Sequence, residues 1–168
     1  MRRFVISLLV SNQFGVLTRV SGMFARRGFN IDSLTVGVTE QAGFSRMTVT
    51  MTGEESDRDQ MLKQLRKLHD VKEIKEMNPA SSVSRELILI KVSANSQNRQ
   101  DIIDAVNVFR NKIIDFSPEA VCMEITGESS KLDAFIELMK PYGIIEMCRT
   151  GMVSLDRGTE SLAGKGNC

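Results

Sequence analysis

The sequence predicts an α+β protein built from two βαββαβ units in tandem, and three observations indicate this architecture. Hydrophobic residues recur with alternating strand-like and helix-like periods along most of the chain. The order of these segments repeats after an interruption near the middle of the sequence. The interruption, at 79–85, is small and polar and begins with Pro79, which disfavours a helical residue before it. We therefore interpret it as a linker between two domains.

The first unit, at 1–78, shows apolar periodicity in six segments. Val16, Val20 and Phe24 share one face of its first helix, and Gly28 stands where a C-terminal cap is expected. The predicted elements are a strand at 4–10, a helix at 16–27, strands at 30–38 and 43–52, a helix at 56–68 and a strand at 71–77.

The second unit, at 86–158, repeats this order with little residue identity. The segment 159–168 lacks apolar periodicity, and we expect a flexible tail there. The predicted elements of the second unit are a strand at 86–93, a helix at 99–112, strands at 113–117 and 120–127, a helix at 130–140 and a strand at 143–154.

The strand at 4–10 is apolar at nearly every position, which is typical of a strand buried on both faces. In a ferredoxin-like βαββαβ sheet, right-handed crossovers place both helices on one face. The other face must be covered by the second domain or by a second copy of the chain. We expect a homodimer.

Charge and cysteine content exclude several classes of protein. The chain has 22 basic and 21 acidic residues, so it lacks the positive charge of a nonspecific nucleic-acid binder. Cys122, Cys148 and Cys168 are odd in number and far apart, which favours neither a disulfide framework nor a zinc site. A reducing cytoplasm fits this pattern, and no apolar run is long enough to span a membrane.

The turn after the first strand is the most informative segment of the sequence. The strand runs through Asn12 and Gly15 directly into the helix, so the first backbone N–H groups, at Val16 and Leu17, are expected to be open. Such a helix start can hold a carboxylate. A capped turn without any ligand fits the same spacing. Asn30, at the predicted start of the next strand, offers a second polar group to a ligand.

Other constellations point away from catalysis. The single histidine, His69, ends a helix, and no motif places a serine or cysteine nucleophile near it. An RNA-recognition module would need aromatic side chains on its central strands, and the strand at 43–52 has one only at its start. A small acylphosphatase would need an arginine in the first loop, and this loop has none. An amino-acid-responsive transcription regulator would need a helix-turn-helix segment, which neither half of the sequence supplies. The chain is best interpreted as a sensor of a small molecule.

Nine segments together resemble the small, regulatory subunit of acetolactate synthase (acetohydroxyacid synthase). The resemblance covers about residues 1–158, and its first half is similar to the ACT domain of that family, an amino-acid-binding module. The segments are Arg2–Arg3, Asn12–Arg19, Arg27–Val36, Ser45–Thr48, Arg85–Leu87, Arg110–Asp115, Thr126–Gly127, Lys131–Phe135 and Arg149–Gly151.

The resemblance implies a non-catalytic subunit that activates a separate large subunit in branched-chain amino acid biosynthesis. Thiamine diphosphate, magnesium and FAD would belong to the large subunit, and this chain would carry no cofactor. The family dimerises through its ACT domains and transmits feedback inhibition by valine bound between them. By resemblance the valine contacts would be Asn12, Gly15, Val16 and Leu17 from one chain with Asn30 and Ile31 from its neighbour.

Overall fold

The computed structural model describes residues 1–163, which form two antiparallel sheets and four helices. The first six elements are β1 (Arg2–Ser11), α1 (Val16–Arg26), β2 (Ser33–Val38), β3 (Phe44–Gly53), α2 (Glu55–Leu65) and β4 (Val71–Glu76). They are followed by β5 (Ser82–Ser93), α3 (Arg99–Val108), β6 (Lys112–Phe116), β7 (Ala120–Gly127), α4 (Ser129–Met139), a 3₁₀ turn (Lys140–Tyr142), β8 (Ile144–Arg149) and β9 (Val153–Asp156).

The strand order is the same in both halves of the chain. The first sheet is ordered β2-β3-β1-β4 and the second β6-β7-β5-β8, with β9 pairing with β5 in addition. Each half therefore places its first and third strands at the centre of the sheet. The predicted α+β class with two βαββαβ units is confirmed.

Several predicted boundaries differ from the structure. The helices predicted at 56–68 and 99–112 end at Leu65 and Val108, and three strands also differ. The strand expected at 30–38 begins at Ser33, because residues 30–32 form a loop. The strand expected at 86–93 begins at Ser82, so the second half of the predicted linker 79–85 is extended strand. The strand expected at 143–154 is divided into β8 and β9. Ser82 and Ser84 carry no strand signal of their own, and their pairing partner β9 lies about 70 residues away, as the 2.9 Å hydrogen bond from Ser84 Oγ to Ser154 Oγ shows.

The first core lies between the first sheet and both of its helices. Alternate residues of β1 point to the helices, and α1 contributes the face predicted from its periodicity. Full burial of each aliphatic or aromatic side chain stabilises the fold by about 1.5–3 kcal/mol. The buried set includes Phe4, Ile6, Leu8 and Val10 of β1, Val16, Val20 and Phe24 of α1, Met47, Val49 and Met51 of β3, and Met61 and Leu65 of α2.

The second half has a separate core of the same design. Its central strand β5 buries alternate residues against α3 and α4, and the rings of Phe109 and Phe135 meet edge to face at 5.2 Å. The buried set includes Ile88, Ile90 and Val92 of β5, Ile102 and Val106 of α3, Val121, Met123 and Ile125 of β7, and Leu132, Phe135 and Met139 of α4.

The end of the chain returns to the first half. The described chain divides into two compact units, one formed by residues 1–84 with 151–163 and the other by residues 85–150. We call residues 151–163 the carboxyl-terminal strap. It passes Leu34 and Thr35 of β2 at Gly151, and its Asp156 carboxylate lies 3.0 Å from Lys75 Nζ of β4. The strap therefore crosses the face of the first sheet that is opposite the helices, since Thr35, Thr48, Ser7 and Lys75 are register neighbours on that face.

The strap changes two expectations from the sequence. Burial of β1 on both faces is confirmed, because Ser7 and Leu9 are also buried. The same chain supplies part of that cover, so two-sided burial does not by itself require a second copy. The tail expected at 159–168 is packed at its start, where Leu162 is buried and Glu160 lies 3.7 Å from Lys75 Nζ. Residues 164–168 lie outside the described residues.

A buried ion pair ties the start of β5 to the end of β8 in the second unit. Glu86 is almost fully buried and accepts hydrogen bonds from Ser129 Oγ and from Arg149 Nε, the latter at 2.5 Å. Arg149 Nη1 also donates to Asp133 at 2.7 Å. Burial disfavours the guanidinium charge, but the hydrogen bonds to Glu86 and Asp133 outweigh it and raise the pKa of Arg149.

We expect Glu86→Gln to lower the free energy of unfolding by about 3 kcal/mol, because it removes the buried one of the two carboxylates that Arg149 contacts and leaves it the exposed Asp133. Glu124→Gln is the matched control, since the Lys112–Glu124 pair is 3.9 Å long and its lysine is 78% exposed, and its loss should cost at most about 1 kcal/mol. Urea unfolding followed by circular dichroism measures both. Equal losses for the two variants would contradict the proposed importance of the buried pair.

We also expect Gly151→Ala to loosen the strap. A Cβ at this position would approach Leu34 carbonyl carbon to 2.9 Å, and backbone cannot give way cheaply, so a loss of about 1–3 kcal/mol is expected. Gly22→Ala is the control, because a Cβ in that part of α1 meets no atom within 4 Å and alanine favours the helix. Hydrogen exchange should accelerate at 152–157 in the first variant only. Unchanged exchange there would show that Gly151 does not hold the strap.

Candidate functional site

The turn between β1 and α1 is held from two sides. Ser11 N donates to Asp70 O at 2.9 Å, and Asn12 N donates to Gly43 O at 2.8 Å. Gly15 then occupies the N-cap position with φ of 80°, a conformation that glycine adopts without steric cost. The cap residue is therefore Gly15 and not Asn12, whose side chain is exposed.

The start of α1 has no side-chain cap. Within residues 1–163, no side chain accepts a hydrogen bond at the cap of this helix, and its first turn contains no acidic residue. Val16 N makes one long hydrogen bond of 3.4 Å to Gln13 O. The N–H groups of the first turn thus keep their capacity to bind an acceptor, and the helix dipole adds to their attraction for an anion. Water or a ligand can supply that acceptor at this exposed turn.

The side chains around the turn provide an apolar surface next to the amides. Val16 is buried in the first core, whereas Leu17 is 45% exposed and Phe14 is fully exposed. A ligand at the amides would therefore have Leu17 available for an aliphatic group. An apolar group buried against it would add to the hydrogen bonds of a carboxylate.

An ion pair that the sequence did not reveal flanks the turn. Arg19 Nε donates to Asp70 Oδ2 at 2.7 Å, and a Cβ built on Gly15 would lie 3.0 Å from Arg19 Nη1. The hydrogen bond from Arg19 lowers the pKa of Asp70, and the same bond raises the pKa of Arg19. The pairing spans 51 positions, so only the alignment of β1 with β4 brings it about.

Asn30 and Ile31 lie in the loop that follows α1. Asn30 Nδ2 donates to Asp32 Oδ1 at 3.2 Å, and Asp32 Oδ2 accepts from Thr52 Oγ1 at 2.7 Å. Ile31 is partly buried against the first core. The prediction that Asn30 begins a strand is wrong, because the loop is fixed by these polar contacts and the ladder of β2 begins only at Ser33.

The structure does not bring the two halves of the predicted site together within one chain. Asn12, Gly15, Val16 and Leu17 lie at the start of α1, and Asn30 and Ile31 follow its end. An α-helix rises 1.5 Å per residue, so the 11 residues of α1 separate these groups by about 16 Å. Valine is far too short to bridge that distance. A site that uses both groups requires a second chain.

Several other candidates form no site in the described part of the chain. Among residues 1–163, no group of three or more histidine, cysteine, aspartate or glutamate side chains is arranged to hold a metal ion. None of the described helices is long and apolar enough to cross a membrane. The acidic residues Glu54 and Asp57 cap the start of α2, where Asp57 Oδ2 accepts from Glu54 N at 2.8 Å.

Comparisons with known proteins agree with this architecture. Residues 6–73 match the family model described as an AHAS small subunit-like ACT domain, and residues 85–158 match that of the small subunit of acetolactate synthase. A crystal structure of the acetolactate synthase small subunit from Thermotoga maritima is similar, with a TM-score of 0.87 and 41% identity over 94% of this chain and 99% of that one.

Two curated relatives show the same similarity. The acetolactate synthase small subunit of Mycolicibacterium smegmatis is 49% identical over 94% of this chain and 92% of its own length. The probable small subunit of Methanothermobacter thermautotrophicus is 46% identical over 94% of this chain and 95% of its own. The resemblance found in the sequence is confirmed: the chain belongs to the family of acetolactate synthase small subunits, whose role is regulatory and not catalytic.

Proposed function

We propose that this chain activates the large catalytic subunit of acetolactate synthase and transmits feedback inhibition by valine. The observation that carries the proposal is the uncapped start of α1 beside Gly15, which offers backbone N–H groups to a carboxylate. Valine binds there through its carboxylate, in the domain that we place at 1–78. The match of residues 6–73 to an ACT domain of this family supports that placement.

Simple magnitudes favour an aliphatic amino acid as the ligand. Each charged hydrogen bond to the carboxylate contributes about 1.5–3 kcal/mol, and the helix dipole contributes about 0.3–1 kcal/mol more. An isopropyl group covered by Leu17 and by Ile31 of a second copy adds about 1.5–3 kcal/mol. After the cost of association is subtracted, the dissociation constant falls in the micromolar to millimolar range. Such an affinity suits feedback by a ligand whose concentration is being sensed.

The length of α1 and the open edge of the first sheet support a homodimer. If the contacts of Asn12 and Gly15 belong to the same ligand as those of Asn30, two chains must contribute to each site. Strand β2 lies at the edge of its sheet, where Val36 is 43% and Val38 is 80% exposed. An apolar edge of this kind is a template for pairing with another copy. The evidence for the proposed dimer is thus the open edge of the sheet and not the burial of β1.

Valine regulates the enzyme by favouring one arrangement of the two chains. A ligand held by both copies binds that arrangement more tightly, and a coupling of about 1–3 kcal/mol to the large subunit is sufficient. Thiamine diphosphate, magnesium and FAD are assigned to the large subunit, so this chain needs none of them. The unpaired thiols of Cys122 and Cys148 fit a reducing cytoplasm as its location.

We expect Gly15→Asp to abolish valine inhibition while the chain still activates the large subunit. The new carboxylate would lie where the ligand carboxylate binds, and an aspartate would be strained at φ of 80°. Acetolactate formation by the purified large subunit is measured with and without this chain and valine, and valine binding is measured by calorimetry.

Gly158→Ala is the matched control for backbone strain. Gly158 also has a positive φ, of 70°, but it lies in the strap and a Cβ there meets no atom within 4 Å. This variant should keep valine inhibition. Intact valine binding and inhibition in Gly15→Asp would show that the site is misplaced, and failure of the unmodified chain to activate any large subunit would refute the function itself.

A mixture of two defective variants tests whether each site is shared between chains. Gly15→Asp and Asn30→Ala should each abolish valine binding when present alone. In a mixed dimer, one site would combine both defects and the other would be intact, so statistical mixing should restore about a quarter of the sites. No restoration, in mixtures shown by mass spectrometry to contain mixed dimers, would indicate that each site lies within one chain.

A further inference from the structure

A cavity lies between the carboxyl-terminal strap and the first sheet, away from the start of α1. Its volume is about 440 Å³, within the range of small-molecule sites. The walls combine apolar residues from the sheet and the strap with charged side chains of both signs. The residues that matter here are Leu9, Val38, Leu155 and Leu162, which are apolar, and Glu40, Arg46, Asp156 and Glu160, which are charged.

Arg46 places a positive charge at this cavity, and few hydrogen-bond acceptors contact its guanidinium group. Its side chain is partly buried, and Nη2 donates to Ser7 Oγ at 3.3 Å. No carboxylate oxygen within residues 1–163 forms an ion pair with it, and its Nε is buried without a hydrogen-bond partner. Burial lowers the pKa of Arg46, although the charges of Asp156 and Glu40 oppose this. A guanidinium with five donors in this state is suited to a carboxylate.

The opposite charge lies on the strap side of the cavity. The Asp156 side chain is 4% exposed, and its Oδ1 is bound by Lys75 Nζ at 3.0 Å. Its Oδ2 is buried without a hydrogen-bond partner in the described part of the chain. Glu160, whose carboxylate lies 3.7 Å from the same Lys75 Nζ, and Glu40 add two exposed carboxylates to the rim. Three carboxylates disfavour a phosphate ligand, and the guanidinium disfavours a metal ion.

We propose that this cavity is a second ligand site, specific for a small aliphatic zwitterion, in which Arg46 binds the carboxylate and the acidic residues of the strap and rim face the ammonium group. The aliphatic part lies against Leu9, Val38, Leu155 and Leu162. This site shares no residue with the start of α1. It lies within one compact unit, so it does not require a second copy of the chain.

Calorimetry on the full chain carrying Gly15→Asp tests the proposal with L-leucine as the probe. This background removes the site at the start of α1, so the remaining heat reports the cavity. Arg46→Gln should weaken binding more than about tenfold, whereas Arg46→Lys, which keeps the charge, should weaken it less. Isovalerate and isopentylamine, which each lack one of the two charges, should bind at least about tenfold more weakly than leucine.

A second pair of variants guards against misfolding at the partly buried Arg46. Leu155→Glu changes a residue that is 61% exposed and lines the cavity, and it should weaken leucine binding because a charged side chain replaces one of the apolar residues that cover the aliphatic part. Val153→Glu changes a residue of the same strand that is 51% exposed and is not among those lining the cavity. It should leave binding unchanged.

Several results would overturn the proposal. They are the absence of heat with leucine, equal binding of isovalerate, or identical effects of Leu155→Glu and Val153→Glu. Arg46→Gln in the unmodified background should leave valine inhibition of the holoenzyme intact, so failure of the cavity and failure of the proposed function are distinguishable.

Discussion

The requirement to cover both faces of β1 organises the first unit. Its even-numbered apolar residues enter the core under α1 and α2, while Ser7 and Leu9 are buried on the opposite face, which the strap crosses. Because β1 is packed on both faces, the position of its last residues is fixed. The turn after it is bonded to Asp70 on one side and to Gly43 on the other, so the start of α1 is held before any ligand arrives. Such preorganisation reduces the ordering cost of binding.

The start of α1 is suited to regulation because its chemistry is simple. Backbone N–H groups and a glycine cap recognise the carboxylate that all amino acids share, and selectivity is left to the apolar side chains nearby. The polar contacts of Asn30 belong to the other end of the same helix, about 16 Å away. In the proposed dimer this separation makes the ligand a link between chains, so its binding energy can bias their arrangement.

The strap gives the first unit a feature that the repeated architecture does not explain. It extends the chain beyond the second unit and returns it to the first sheet, with an ion pair to Lys75 and close backbone contact at Gly151. The cavity beneath it includes Leu9, three residues before Asn12. Both proposed ligand sites therefore lie at the same end of β1, one at the turn that follows the strand and one on the face opposite its helices.

The sequence by itself determined the βαββαβ order of each half, the apolar face of α1, the segment that forms the candidate turn and, through its motifs, the family. These properties depend on local periodicity, on backbone preferences and on residues adjacent in sequence, so they can be predicted without the tertiary structure. The tertiary structure alone decided three other features: the start of β5 at Ser82, the Arg19–Asp70 pair, and the return of the strap to β2 and β4. Each depends on contacts between residues about 50 to 120 positions apart, and the residues involved are polar or small, so they leave no periodic signal.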